Sequence, residues 1–456
     1  MTLQLVLVEI AAELALFASL GFLLFSLDDL AVDLIYFVRM GWRSLFVYRR
    51  HQRSDAVTLT RNGEHGWMVV LIPAWDEAAV IGKMLRATLK RFDHPDFTLM
   101  VGHYRNDPAT RLAIEAVADP RVMPVEVPRD GPTTKADCLN HLYATLVRHE
   151  TAIGRRAKAL ILHDAEDLVH PLELRLFERL IDRAGVIQLP VIPLPHHSSA
   201  WISGHYCDEF AESHGKELVV REAVGASIPL AGVGCAISRS AIARLASAHD
   251  GRPFAMSSMT EDYEMGLRLG SLGERTLFVR LPQAAGERGV VASRGHFPAS
   301  LGAAVRQKAR WLGGIAFSGW DRLGWRGGLG ERWFRLRDRR GPLAALLLLA
   351  GYVAALIWGQ LWLAAQLGAP MPPKPSNLLV TLLQVNFALL FWRVLMRISF
   401  TTHVYGIGEG LASVPRILAA NIIAILASAR ALFVHAGGGP KKWDKTAHIF
   451  PAEAAQ

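Results

Sequence analysis

The chain has 456 residues, of which 51% are hydrophobic, and its formal net charge is +9. This length and composition fit a large soluble domain with apolar segments beside it. A nucleic-acid partner is excluded, because the basic residues do not gather on a patch interleaved with aromatic residues. The three cysteines, Cys138, Cys207 and Cys235, lack Cys-x-x-Cys spacing and are expected to be buried free thiols.

An apolar stretch at the start of the chain predicts a transmembrane anchor over residues 1–27. No Lys or Arg precedes it, so it is expected to be an uncleaved anchor rather than a signal peptide. Only Glu9 and Glu13 interrupt it, and they indicate either a face for a partner helix or a later start of the span. Residues 28–66 are predicted to form an amphipathic connector to the next domain.

Strand and helix patterns alternate through the domain predicted for residues 67–298. The predicted strands are Trp67–Pro73, Phe97–Tyr104, Val122–Val127, Leu160–His163 and Val186–Ile192. The predicted helices are Asp76–Arg91, Pro108–Val117, Thr134–Arg148 and Pro171–Arg183. Repeated alternation at these lengths predicts an α/β fold, with a mostly parallel, doubly wound sheet covered by helices on both faces.

Three carboxylates, Asp164, Glu166 and Asp167, directly follow the predicted strand Leu160–His163. The carboxyl ends of parallel strands line the ligand crevice of an open sheet. Hard oxygen donors at this spacing suit Mg²⁺ or Mn²⁺ holding a diphosphate, so a metal site is expected here. The alternative is a solvated acidic turn at the start of the next helix, where the helix dipole favours carboxylates.

Other polar motifs follow the neighbouring strands and could complete a nucleotide site. They are Pro73, Ala74 and Glu77 after the first strand, Asp107 after the second, and Lys135 and Asn140 on the helix after the third. Further along, Thr260-Glu261-Asp262 precedes a helical pattern. Residues 231–238, with Gly232 and Gly234, form either a strand beside the site or a segment whose glycines permit close packing.

Two apolar segments within residues 342–400 are each long enough to cross ~30 Å of hydrocarbon. Residues 299–341 precede them, containing the motif Gln307, Arg310 and Trp311 and the stretch Arg335–Arg339, whose arginines are expected mainly to contact phosphate headgroups. Arginines flanking the spans place the intervening domain in the cytoplasm.

Residues 401–456 are predicted to form an interfacial helix and a cytoplasmic tail. Between residues 411 and 434, bulky apolar side chains and small side chains fall on opposite sides of the helix, which favours a helix lying in the membrane surface. Three spans in total would return the lysine-bearing tail to the cytoplasm. Four spans are the alternative.

The order of these motifs resembles the membrane-bound family 2 glycosyltransferases. The motifs are Pro-x-x-x-Glu at 73–77, Lys-Ala-x-x-x-Asn at 135–140, Asp-x-Glu at 164–166 where the family has Asp-x-Asp, Thr-Glu-Asp at 260–262 and Gln-x-x-Arg-Trp at 307–311. Within the family, residues 72–77, 163–167 and 443–448 are most similar to the bacteriophage-adsorption protein B group. The resemblance implies a GT-A catalytic domain and a nucleotide-diphosphate sugar as donor.

The resemblance also implies a role for each motif residue. Asp262, with Glu261 beside it, would be the catalytic base, the alternative being a helix N-cap. Asp164 and Glu166 would hold Mg²⁺ or Mn²⁺, with Asp167 as a helper, although Glu in place of Asp leaves direct contact at 166 open. The contacts to the donor would be Pro73, Ala74, Glu77, Asp107, Lys135 and Asp164. The contacts to the acceptor or the diphosphate would be Gln307, Arg310 and Trp311. A tail segment with Trp443, Lys445, Thr446 and His448 would return toward the site.

The expected function is therefore that of an inverting glycosyltransferase, a multi-pass protein of the bacterial inner membrane whose catalytic domain is cytoplasmic. It would transfer sugar from a UDP-sugar to a glycan or lipid-linked acceptor for surface or secreted polysaccharide. Membrane lipid and an envelope export protein are its expected partners. The alternative is a non-catalytic assembly or phage-receptor subunit with a degenerate glycosyltransferase domain.

Overall fold

The computed structural model describes residues 3–60, 65–196, 198–287, 289–437 and 449–451. The first helices are α1 (Leu3–Trp42), α2 (Ala56–Thr60), α3 (Ile81–Arg91), α4 (Pro108–Glu115), α5 (Lys135–Ile153), α6 (Glu173–Leu180), α7 (Gly204–Glu212) and α8 (Leu218–Ala223). They are followed by α9 (Arg239–Ser247), α10 (Glu261–Ser271), α11 (Leu301–Leu312), α12 (Gly319–Leu323), α13 (Leu329–Arg339), α14 (Gly341–Gln366), α15 (Asn377–Tyr405) and α16 (Ile407–Ala436). Short π-helical turns cover Arg43–Val47, Ser213–Glu217 and Gly313–Ser318.

The strands form one seven-stranded sheet and one two-stranded sheet. They are β1 (Met68–Pro73), β2 (Phe97–Tyr104), β3 (Val122–Val127), β4 (Ala159–Leu162), β5 (Val186–Gln188), β6 (Val191–Leu194), β7 (Cys235–Ser238), β8 (Thr276–Phe278) and β9 (Ser293–His296). The large sheet has the order β3-β2-β1-β4-β7-β5-β8, and β7 runs antiparallel to both of its neighbours while the other pairs are parallel. The predicted doubly wound, mostly parallel sheet is confirmed.

Each face of the large sheet carries its own apolar core. Strand β1 is buried along its whole length, and its alternate side chains point into opposite cores, Met68 and Val70 into one and Val69 and Leu71 into the other. Helices α3, α4 and α6 pack on the first face, and α5, α9 and α10 pack on the second. A strand buried on both faces reads as a continuous apolar run, which is why β1 and β4 were recognisable in the sequence.

Two predicted elements differ from the structure. The predicted strand over residues 186–192 is divided into β5 and β6, which belong to different sheets, because Pro190 has no N–H to continue the hydrogen-bond ladder. The helix predicted from Asp76 begins only at Ile81, since Asp76 has a φ of 54°, a left-handed conformation that a helix does not accept.

Helix α1 does not end near residue 27, where the sequence predicted a change from anchor to connector, but continues to Trp42. The part of α1 after residue 27 enters a group of ion pairs, which we call the ionic collar and which joins α1 to helices of the α/β domain and to α15. The collar consists of Asp28, Asp29 and Asp33 of α1, Glu212 and Lys216, Arg337 and Arg340, and Arg393. Apolar and acidic residues thus share one continuous helix because these carboxylates have cationic partners inside the protein.

The prediction that the arginines of Arg335–Arg339 mainly contact lipid headgroups is wrong. Arg335 is 1% exposed and pairs with Glu331 at 2.8 Å, and Arg337 is 8% exposed and belongs to the ionic collar. Asp338 accepts hydrogen bonds from Arg221 at 2.9 Å and from the hydroxyl of Tyr263 at 2.7 Å. Basic residues beside a membrane span can satisfy buried carboxylates as well as phosphates, and their spacing does not distinguish the two.

Within the described ranges, four helical segments are long and apolar enough to cross a membrane, Gln4–Val47, Gly341–Gln366, Asn377–Tyr405 and Ile407–Ala436. The last of them, α16, lies along the α/β domain. Near its start Arg416 pairs with the buried Asp208 of α7 at 3.1 Å, and near its end His435 stacks on Phe317 with 5.2 Å between ring centroids. Beyond it, Phe450 packs against the first core of the large sheet. Residues Trp443, Lys445, Thr446 and His448 lie outside the described residues.

Candidate active site

A small, narrow pocket lies at the carboxyl ends of β1 and β4. Its polar lining brings together Lys135, His163, Glu261 and Asp262, with Pro73 and Gly232 completing the wall. The motifs that the sequence placed after separate strands therefore share one cleft.

Lys135 links the acidic groups of this cleft. Its ammonium lies 2.5 Å from Oδ1 of Asp164. Burial alone would lower the pKa of Lys135, but Asp164, Glu261 and Asp262 together raise it above its ordinary value. A positively charged side chain thus already balances the carboxylates on both sides of the cleft.

Asp262 and Glu261 stand at the start of α10, where Glu261 is buried and Asp262 is half-buried. Burial raises the pKa of Asp262, and Lys135 acts against this shift while Asp164 adds to it. Burial, followed by the charge of Asp262, raises the pKa of Glu261 to about 7. The N-cap of α10 is Thr260 rather than Asp262. Oδ1 of Asp262 accepts from the N–H of Tyr263 in the first turn at 2.7 Å, and the residue also lines the pocket.

Gly232 lets the side chains of Asp262 and Lys135 approach each other. Its φ of 77° is left-handed, and a Cβ at this residue would collide with Oδ2 of Asp262 and lie 3.3 Å from Nζ of Lys135. Close packing by glycine, which the sequence analysis named as an alternative for this segment, is therefore part of how the cleft is formed.

The loop that carries Asp164 is braced from behind by His163. This imidazole lies between Asp167, at 2.9 Å, and Glu173, at 2.6 Å, and the backbone N–H of Asp164 also donates to Asp167 at 2.9 Å. Burial would lower the pKa of His163, but Glu173 and Asp167 raise it to about 10. Asp167 thus braces the loop through one carboxylate oxygen, and the metal-helper role stays a prediction. No role was predicted for His163 or Glu173. The available signal was that His163, an ionisable residue, ends the apolar strand predicted over Leu160–His163.

The residues around this loop fit a divalent ion. Asp164 and Glu166, both half-buried, offer hard carboxylate oxygens from one turn, which Mg²⁺ and Mn²⁺ prefer. The ammonium of Lys135 against Asp164 shows that the same position already accommodates positive charge.

The carboxyl ends of β1 and β2 are tied together by Asp107. One of its oxygens accepts from the N–H of Asp76 at 2.6 Å and the other from the N–H of Thr110 at 3.2 Å, as the N-cap of α4. The N–H of Glu77 donates to the Thr110 hydroxyl at 2.9 Å, and Ala74 is fully buried beside it. These contacts hold the loop after β1 in place, a role that the sequence did not predict for Asp107.

Helix α11 borders the cleft with the three residues of its motif. Arg310 lowers the pKa of both Glu261 and Asp262, so its charge acts within the site. The side-chain oxygen of Gln307 is buried and accepts no hydrogen bond from the part of the chain that is described. Trp311 packs in an aromatic cluster with Tyr206, at 6.1 Å between ring centroids, and Phe297, at 6.4 Å.

Two glycines after Trp311 bring the end of α11 close to the segment before α10. A Cβ on Gly313 would lie 2.7 Å from Cε of Met259, and one on Gly314 would lie 2.7 Å from Cγ2 of Thr260. The segment after Trp311 therefore packs closely against the residues that precede Asp262.

A second cluster of possible metal ligands, His65, His94 and Glu178, lies before β1 and β2, at the opposite edge of the sheet. Nδ1 of His94 accepts a hydrogen bond from the N–H of Asp96 at 3.1 Å, and burial lowers the pKa of His94. Nε2 of His94 lies 3.3 Å from Glu178, and Nδ1 of His65 lies 3.1 Å from the same carboxylate. The cluster lies away from the cleft that holds Lys135 and Asp262.

Comparison with known families gives a match over more than half of the chain. A family model described as Glycosyl transferase family group 2 matches residues 159–407. "Bacteriophage adsorption protein B" of Escherichia coli strain K12 is 37% identical over 453 residues, covering 93% of this chain and 60% of the relative. "Bacteriophage N4 adsorption protein B" of Escherichia coli O157:H7 has the same identity and coverage. The chain thus spans about three fifths of the length of these relatives, and the predicted resemblance is confirmed.

Solved structures show weaker similarity. A mannosyltransferase from Pyrobaculum calidifontis, solved with GDP-mannose and Mn²⁺, is 17% identical with a TM-score of 0.47, covering 86% of this chain and 98% of that one. Glucosyl-3-phosphoglycerate synthase from Mycobacterium tuberculosis, solved with phosphoglyceric acid, is 17% identical with a TM-score of 0.36, covering 61% of this chain and 88% of that one.

Proposed function

The chain belongs to family group 2 of the glycosyl transferases, and on this premise we propose that it is an inverting glycosyltransferase built on a GT-A domain. It transfers a sugar from a nucleotide-diphosphate sugar, with a UDP-sugar as the first donor to test, to a glycan or lipid-linked acceptor. The observation that carries the proposal is the single cleft in which Asp262, Lys135 and Asp164 act on one another.

Asp262 takes the proton from the acceptor hydroxyl as that oxygen attacks the anomeric carbon. Its raised pKa supports this role, since a base with a higher proton affinity removes a proton more readily. Lys135 holds the carboxylate in place, and Gly232 leaves the space in which the two side chains meet. Glu261 lies beside Asp262, and burial together with the charge of Asp262 raises the pKa of Glu261. Among the described residues, Glu261 has no cation at ion-pair distance.

On the donor side, Pro73, Ala74, Glu77 and Asp107 form the nucleotide wall, and Asp164 and Glu166 would hold the Mg²⁺ or Mn²⁺ ion. When bound, the ion offsets the charge that develops on the departing diphosphate. Arg310 adds fixed positive charge beside the same position, and the buried oxygen of Gln307 is available to a hydroxyl donor of the ligand. The Trp311 face supports a sugar ring on the acceptor side.

We place the protein in the bacterial inner membrane with three spans, α1, α14 and α15, and with the catalytic domain in the cytoplasm. The support for an interfacial α16 is its contact with the catalytic domain from Arg416 to His435, together with Phe450 in the domain core. The product belongs to a surface or secreted polysaccharide, and an envelope export protein receives it.

The test replaces the base. We expect Asp262→Asn to lower sugar transfer by about 10² to 10⁴, the usual contribution of a general base, and to leave donor binding within a few-fold of the wild type. The assay is UDP release by the detergent-solubilised protein from a panel of UDP-sugars with Mg²⁺ or Mn²⁺. The matched control is Asp182→Asn, since that carboxylate is 71% exposed and lies away from the cleft.

Unchanged turnover in Asp262→Asn would remove this residue as the base. A wild-type protein that binds a donor but releases no UDP with any sugar or ion would support the alternative, a non-catalytic subunit of an assembly or phage receptor.

A further inference from the structure

The outer stripe of α1 carries two carboxylates that face away from the protein. Glu9 and Glu13, one helical turn apart, are both exposed. The same stripe continues through apolar side chains that are about half exposed, namely Leu5, Phe17, Leu20, Leu24 and Leu27. The opposite side of the helix, with Val8, Ala11, Ala18 and Ser19, is buried against α14 and α15. Glu9 and Glu13 therefore occupy a face that lipid tails would otherwise cover.

Both glutamates fall within the hydrocarbon part of the helix. The side chain of Gln4 donates to the carbonyl of Pro370 at 2.7 Å, so α1 starts level with the loop between α14 and α15. Asp28, in the ionic collar, marks the other end. A span needs about 20 residues to cross the hydrocarbon, and counting back from Leu27 it includes Glu9 and Glu13. Starting the span after Glu13 would leave a helix of roughly 21 Å before Asp28, at 1.5 Å per residue, which is too short.

The two carboxylates have no ion pair or side-chain hydrogen bond with any residue in the described ranges. The sequence of α14 contains no Lys or Arg, and in α15 the first basic residue is Arg393, which belongs to the ionic collar at the far end of the span. The other acidic residues of α1, Asp28, Asp29 and Asp33, are all paired with basic groups. Unpaired carboxylates on a lipid-facing surface are costly, and such residues usually mark a contact.

We propose that Glu9 and Glu13 form a docking site for the transmembrane helix of a different protein, one that places a lysine or arginine in the membrane half away from the catalytic domain. The two carboxylates at one-turn spacing would receive a single cation between them, and the stripe from Phe17 to Leu27 would pack against the rest of the partner helix. This inference rests on α1 crossing the membrane and does not depend on the proposed sugar transfer.

With α16 lying in the membrane surface, as proposed above, a second copy of the chain does not supply the required charge. In the half of the membrane where the glutamates lie, Lys374 is the basic residue nearest in sequence to the spans α14 and α15, and it belongs to the loop outside them. Charge complementarity at this depth therefore favours a foreign helix over self-association.

The test uses the full-length protein in phosphatidylcholine vesicles and a leucine-alanine transmembrane peptide as the probe. The peptide carries one lysine about one and a half turns inside each end, so that its orientation does not matter. The protein is labelled at Lys374→Cys, because its own three cysteines are buried, and association is measured by energy transfer to a dye on the peptide. A peptide with glutamine in place of lysine is the reference.

We expect the lysine peptide to associate with the protein about fivefold to tenfold more strongly than the glutamine peptide, the range found for polar contacts between membrane helices. The double variant Glu9→Gln/Glu13→Gln should remove this preference, whereas Phe17→Leu on the same stripe should keep it. Equal association of the two peptides, or a preference that survives the double variant, would overturn the proposal. So would energy transfer between two copies of the protein that the double variant abolishes, since the site would then belong to a dimer.

Discussion

A single glycine sets the distance between the proposed base and the lysine that holds it. At Gly232 the left-handed backbone and the absent Cβ are both required, because a methyl group there would displace the carboxylate of Asp262. Gly225 offers a close comparison, since its φ is 75° and no atom lies within 4 Å of a Cβ built on it. The two glycines thus separate backbone strain from steric displacement.

We predict that Gly232→Ala and Gly225→Ala lose similar stability, about 1–2 kcal/mol each, because both place alanine in a left-handed conformation. Only Gly232→Ala should also lower turnover, by at least about tenfold, since a shift of the base away from its working position affects the chemical step. Thermal unfolding and UDP release measured on the two variants side by side check this. Similar turnover in both would show that the space at Gly232 has no role in placing Asp262.

Some of these residue contacts could be predicted and others could not. Lys135, Asp164 and Asp262 were identifiable because each stands in a short motif at the end of a predicted strand or the start of a helix. The brace of His163 between Asp167 and Glu173, and the use of Asp107 by the loop after β1, depend on where side chains from separate elements meet. Sequence spacing gives no information on such meetings when the partners stand on different elements, as His163 and Glu173 or Asp76 and Asp107 do.

Helix α16 shows what an amphipathic pattern can and cannot predict. Its small residues do face protein, as Ala427 and Ala431 pack with Ala309 of α11, while bulky residues such as Leu418 and Phe433 remain exposed. The pattern could not show that Arg416, on the protein side, is matched by the buried Asp208. Burial raises the pKa of Asp208 to about 6 although Arg416 lowers it, so this carboxylate depends on its partner.

We predict that Arg416→Met destabilises the protein by about 3–5 kcal/mol, because it leaves a carboxylate buried without its cation. Asp208→Asn in the same background should recover part of the loss, since the charge that needs a partner is then gone. Chemical unfolding of the single and double variants in detergent measures both effects. Additive losses would indicate that the two residues do not stabilise one another and that α16 is held elsewhere.

For the molecule as a whole, the alternation of elements was enough to predict a parallel sheet but not its strand order. Strand β7 enters between β4 and β5 in the antiparallel direction, and its pairing is set by contacts across the core rather than by its four residues. The number of membrane spans likewise depends on contacts between distant parts of the chain, because it is decided by whether α16 and the residues after it pack on the catalytic domain.

We predict the side of the membrane on which each part lies from three single cysteine variants. With the native cysteines buried, Arg156→Cys on the catalytic domain and Ile449→Cys after α16 should react with an impermeant maleimide on one side of sealed vesicles. Lys374→Cys, in the loop between α14 and α15, should react only on the other. Labelling of Ile449→Cys together with Lys374→Cys would indicate four spans instead of three.

The ionic collar limits how this enzyme can be shortened for study. A fragment lacking α1 would leave Lys216, which is 1% exposed, without Asp33, and would strip Arg337 and Arg340 of both of their aspartates. Lys216 would then keep Glu212 and Arg337 would keep Glu217 as their acidic partners, so the basic groups of the collar would outnumber the acidic groups left to pair with them. Expression of the GT-A domain alone should accordingly yield aggregated material, and preparations for crystallisation or microscopy need the membrane helices retained.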